Sequence, residues 1–144
     1  MNQTEKLRDQ MQIREHEILF IYNSNDIKDR KALGYVKSLK HLHIKEFDLY
    51  EDDFSEFQIE EIIQRLNIQP SELINKNSKL YLEKYSDKEL GHKDILKVLS
   101  QKPEMIKTPI ALYHDHARFV GTGYEFIKED MVNTGKTRNV TSKK

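Results

Sequence analysis

The segment Glu17–Tyr22 (EILFIY) is a short β-rich apolar run that ends at once in Asn23-Ser24-Asn25-Asp26, a cluster of turn- and cap-forming residues. A strand therefore runs straight into a helix start. From Ile27 onward Ala32, Leu33, Val36 and Leu39 recur at helical spacing, and the pattern fades into Lys40-His41-Leu42-His43. Residues 44–50 (IKEFDLY) then alternate Ile44, Glu46 and Asp48 against Lys45, Phe47 and Leu49, and their apolar and aromatic content predicts a second strand. Two strands joined by a helix make a right-handed βαβ unit with parallel strands.

The middle of the chain has another character. Between Asp52 and Lys102 only helical patterns and breaks occur: Ile59, Ile62, Ile63 and Leu66 line one face, residues 70–74 (PSELI) read as a short helix, and residues 92–100, with Ile95, Leu96, Val98 and Leu99, as another. After Pro103 two strands at 109–113 and 117–120 flank the polar turn His114-Asp115-His116, which predicts an antiparallel hairpin. Gly121 and Gly123 break the second strand, and residues 124–131 suit a last helix. The order is βαβ, a helical insertion at about 52–102, then ββα, an α/β class with a four-stranded mixed sheet. One domain is expected over residues 1–132. Residues 133–144 contain no acidic residue and no apolar periodicity, and are expected to form a disordered basic tail.

Composition narrows the chemistry. The 144 residues suit one domain, which can bury enough apolar surface without disulfides or metals. Lys plus Arg equals Asp plus Glu at 24 each, so no global field favours direct nucleic-acid or membrane binding. Residues 1–16 lack the apolar core of a signal peptide and no stretch is long enough to span a bilayer, so a cytoplasmic location is expected. The chain has no cysteine. Thiolate catalysis, disulfide exchange and Cys-ligated metal sites are thereby excluded for its own side chains.

The layout, with helices inserted between the two halves, resembles the arsenate reductase and Spx family of glutaredoxin-like thioredoxin folds. The resemblance runs from about Ile18 to about Glu125. It is carried by Ile21-Tyr22-Asn23 before the first helix, Arg30-Lys31-Ala32-Leu33 within it, Pro70-Ser71-Glu72-Leu73-Ile74, and residues 102–110 (KPEMIKTPI) leading to Val120-Gly121. It implies that Pro109 is cis and lies against the start of the first helix. Family reductases carry a cysteine at that helix N-terminus, where N–H groups and the macrodipole stabilise a thiolate. Matching Arg30 to the family's helix arginine, with one loop residue deleted, places Asp26 at that cysteine. The second cysteine of a C-x-x-C pair falls on Asp29. The three arginines that hold the arsenate oxyanion match Asn75, Thr108 and Thr122. Nucleophile and anion clamp are thus both replaced, which argues against arsenate reduction.

Each replacement also has a plain structural account. Asp26 serves as a helix N-cap worth about 1 kcal/mol, and Asp29 adds negative charge to the first turn. An Asp26 nucleophile or metal ligand would need Mg²⁺ ligands and phosphate clamps that the sequence does not supply. The pairs His41/His43 and His114/His116 offer two metal ligands each; the first falls at a helix end and the second at a hairpin turn, where exposed histidines are ordinary. His114 and His116 remain the weak metal candidates, and no cofactor is expected. Pro109 either fixes the strand entry or, with Asn23, Asp26, Arg30 and Thr108, forms a groove for a protein partner or small ligand. The favoured function is a non-catalytic thioredoxin-like module that binds a protein or ligand and regulates. One alternative is a residual arsenate reductase or glutathione-dependent oxidoreductase using an external thiol; another is a metal-binding protein using the histidine pairs. Oligomeric state is left open by the sequence.

Overall fold

The structure, a computed structural model, describes residues 12–121. Strand β1 is Glu17–Tyr22, and five of its six residues are buried. The five consecutive apolar residues 18–22 must be covered on both faces, and β1 accordingly lies inside the sheet, whose order is β2-β1-β3-β4. Strand β2 (His43–Asp48) is parallel to β1 with Ile18 opposite Ile44 and Ile21 opposite Phe47. Strand β3 (Ile110–Leu112) is antiparallel to β1, and β4 (Ala117–Phe119) is antiparallel to β3. The sheet is therefore mixed and four-stranded, as the pattern predicts.

Alternation along β1 divides the core in two. Ile18, Phe20 and Tyr22 point to helix α1 (Ile27–Lys37) and pack with Ala32, Val36 and Leu39. Leu19 and Ile21 point to the other face, where Phe47, Ile59, Ile62, Leu73, Leu99, Met105 and Ile106 gather. Phe47 and Phe54 stack there with ring centroids 4.1 Å apart. Each side chain of this size, once fully buried, contributes about 1.5–3 kcal/mol relative to exposure.

Helix α2 (Glu56–Leu66) begins with a capping box in which Ser55 Oγ accepts from Gln58 N and Gln58 Oε1 accepts from Ser55 N. It ends at Asn67, whose φ of 58° is left-handed. Then follow a 3-10 turn Pro70–Leu73, helix α3 (Lys79–Lys84), helix α4 (His92–Gln101) and a second 3-10 turn, Pro103–Met105. Helix α4 packs on α2 and on both 3-10 turns, so the insertion covers the second face of the sheet. An isolated antiparallel bridge joins Ile74 to Ile106.

Several elements differ from the sequence-based expectation. The first helix stops at Lys37, with the Ser38 N–H donating to the Tyr35 carbonyl and the Leu39 N–H to that of Val36, and His43 opens β2 instead of lying at a helix end. Strand β2 ends two residues earlier than expected, because Asp48 Oδ1 accepts from Tyr50 N and folds the chain into a turn. The 70–74 segment is a 3-10 turn, consistent with its Pro at the first helical position. Helix α3 is an addition; none of its residues is fully buried, so it leaves little periodic signal. The helix expected at 124–131 and the tail at 133–144 lie outside the described residues. Among the described residues no helix is long and apolar enough to cross a membrane.

Candidate functional site

The loop after β1 and the segment before β3 meet at one end of the sheet. Asp26 caps α1 in an extended conformation, and its Oδ1 accepts from Lys28 N at 2.8 Å and Asp29 N at 3.3 Å. Asp29 is only 1% exposed, on the same face of α1 as Ala32 and Val36. Its Oδ2 accepts from Asn23 N at 2.9 Å and from the Thr108 hydroxyl at 2.6 Å. One buried carboxylate thus ties the β1–α1 loop to the residue before Pro109. The Thr108–Pro109 peptide bond is cis. Burial pushes the Asp29 carboxyl above its ordinary value; the hydrogen bonds from Thr108 and Asn23 oppose that rise without cancelling it.

The loop itself is held from several sides. Asn23 Oδ1 accepts from Asn25 N at 2.8 Å, Arg30 Nη1 donates to the Ser24 carbonyl at 2.7 Å, and Asp48 Oδ1 accepts from Ser24 N at 3.1 Å. The same Asp48 oxygen takes Tyr50 N at 3.0 Å, so it bridges the loops that leave β1 and β2. Burial would raise the Asp48 carboxyl, but hydrogen bonds from Ser24 and Tyr50 outweigh it and leave it below the usual range.

Beside this loop lies a cleft of about 440 Å³ lined by Asn23, Asn25, Leu49, Tyr50, Pro103 and Glu104. It sits at the carboxyl ends of the parallel strands β1 and β2, a place where open α/β sheets characteristically receive ligands. Sequence reasoning singled out Asn23 and missed the rest. The available signal was topological: parallel strands send their following loops to the same end.

Of the residues singled out in advance, Asn23, Asp26, Asp29, Arg30, Thr108 and Pro109 come together here. Asn75 does not join their hydrogen bonds. Its N–H donates to the Met105 carbonyl, its Oδ1 accepts from Asn77 N, and it lines a separate cleft of about 420 Å³ with Lys76, Lys107 and Phe119. Thr122 lies outside the described residues. Asp29 lies in the first turn of α1 as expected, and its place on the apolar stripe of that helix also carries it into the interior. His116 stacks on Tyr113 at 4.3 Å and its Nδ1 lies 2.8 Å from Asp115 Oδ1, while His114 Nδ1 lies 3.7 Å from the same oxygen. Among the described residues no group of three or more His, Cys, Asp or Glu side chains could hold a metal.

Sheet order, cis proline and helical insertion together define an ArsC-like, thioredoxin-type fold in a chain without cysteine. An arsenate reductase from Vibrio cholerae shares it, with a TM-score of 0.69 over 80% of this chain and 98% of that one at 16% identity. A protein described as a possible arsenate reductase from Streptococcus mutans UA159 matches with a TM-score of 0.64 over 77% of this chain and 97% of that one, at 16% identity. A Staphylococcus aureus COL protein matches with a TM-score of 0.62 over 77% and 96% of the respective chains, at 18% identity. No protein-family model and no curated protein sequence matches the chain. At identities this low the structural likeness shows a common fold and no more.

Proposed function

We infer that this protein is a non-catalytic thioredoxin-type module that binds a protein or small ligand at the end of the sheet bearing Asn23, Asp26, Arg30, Thr108 and Pro109. The observation that carries the reading is the filled helix N-terminus. Asp26 takes the Lys28 and Asp29 N–H groups, the donors that a thiolate or oxyanion would use, and Asp29 takes the Thr108 hydroxyl. With no cysteine the chain has no thiol nucleophile of its own, and the Lys28 and Asp29 N–H groups are already engaged by a carboxylate.

Recognition is less affected. The recognition mode is main-chain pairing of an extended ligand with Thr108, whose N–H and C=O take no main-chain hydrogen bond among the described residues. The test is affinity capture with the parent protein and a Thr108→Arg variant, whose longer side chain occupies the same edge. A partner retained by the parent and lost by the variant is the expected result; an empty capture with the parent removes the reading. Arsenate reduction with glutathione present is expected to proceed no faster than without the protein. Protein-dependent turnover would instead favour a residual reductase using an external thiol.

A further inference from the structure

The occupant of this end of the sheet can be specified by chemistry. We propose that the cleft between the loops after β1 and β2 docks a short cationic peptide, one carrying Lys or Arg beside an aromatic or other apolar residue. The assignment rests on the binding-module reading and deepens it.

Three observations converge. The cleft, at about 440 Å³, falls in the roughly 300–1,000 Å³ range of ligand sites. Its walls are Tyr50, which is 65% exposed, and Pro103, flat apolar surfaces of the kind on which an apolar or aromatic side chain stacks. The amides of Asn23 and Asn25 complete the lining and offer both donors and acceptors, as a peptide main chain demands.

Charge decides which peptide. The segment that supplies Leu49 and Tyr50 also carries Asp48, Glu51, Asp52 and Asp53 and no cation, and Glu104 lines the opposite wall. Asp48 is kept ionised by the main-chain and side-chain donors of Ser24 and Tyr50. Of the nearby cations, Arg30 is engaged with the Ser24 carbonyl, and Lys28 and Lys102 stand close in sequence to Asp26 and Glu104, so the acidic excess comes from the 48–53 segment. The whole chain is neutral, so this acidity is a local property of one face. An anionic ligand would meet like charge here, whereas a cationic one gains in both encounter rate and specificity.

The experiment uses three fluorescent peptides of equal length sharing one central tyrosine, one rich in Lys and Arg, one neutral and one rich in Glu, titrated into the full chain. Binding is read by anisotropy and mapped by amide chemical shifts. The cationic peptide is expected to saturate, to shift the amides of Asn25, Tyr50 and Glu104, and to bind more weakly as salt rises from about 0.15 to about 0.5 M. Tyr50→Ala should weaken it about tenfold and Glu104→Gln about two- to fivefold, as for one rim charge. Both side chains are exposed, so neither variant threatens the fold. A neutral or acidic peptide binding equally well at these residues overturns the charge assignment and leaves the binding-module reading standing. Cationic binding indifferent to both substitutions overturns the site. No binding by any peptide overturns the proposal, and Thr108-dependent capture of a partner then decides the underlying reading separately.

Discussion

Removing the Asp29 carboxylate tests the architecture of the site most directly. In Asp29→Ala, the Asn23 N–H and the Thr108 hydroxyl each lose an ionised acceptor at 2.9 and 2.6 Å. A donor left unsatisfied costs about 1–3 kcal/mol. Thr108 is half-buried and its hydroxyl can turn towards water, while removal of a buried charge gives some stability back. A net loss of about 2–3 kcal/mol is expected, read as a lower urea midpoint with an unchanged m-value. Adding Thr108→Val should cost little more, since the two groups act together; a double-mutant cycle should return a coupling of about 1.5–3 kcal/mol. Asp29→Asn separates hydrogen bonding from charge, because its amide oxygen can accept from both donors. The native carboxyl is raised by burial above its ordinary 3.8, so folding binds a proton that the unfolded chain releases. That contribution is fully present below the ordinary value and is lost as pH rises through the native one. The Asn variant has no such loss, and its stability relative to the parent should increase with pH. An Asn variant whose stability relative to the parent falls as pH rises, or an Asp29→Ala variant within about 0.5 kcal/mol of the parent, would refute the account.

Two further predictions concern the insertion. Ser55→Ala removes one half of the capping box on α2 and should cost about 1 kcal/mol in thermal or urea unfolding. Asn67→Val forces a β-branched residue into the left-handed conformation at φ 58° and should cost about 1–2 kcal/mol, whereas Asn67→Gly should be neutral or stabilising in the same assay.

The readable parts of this fold were those with a repeating signal. An apolar run at Glu17–Tyr22, the Asp26 cap, the Ile59/Ile62/Ile63 stripe of α2 and the hairpin around residues 114–116 each express a period or a local cap chemistry, and each appears where expected. Pro109 came through resemblance to other chains. What escaped notice was non-local. Asp29 and Thr108 lie 79 residues apart, and nothing near either residue announces the other. The early end of β2 depends on Asp48 accepting from Ser24, 24 residues upstream, and from Tyr50. The cleft at Tyr50 and Pro103 exists only once the insertion has folded back onto the ends of β1 and β2.

The bond between Asp29 and Thr108 also makes any introduction of thiol chemistry epistatic. A cysteine installed at position 26 would regain the helix N-terminus, yet an acidic side chain three residues on, directed towards the same loop, would disfavour the thiolate by like charge. Freeing the loop of that carboxylate first would leave the Asn23 N–H without its acceptor and weaken the fold. Neither single step is advantageous alone, so the absence of a thiol is reinforced by a residue that never reacts.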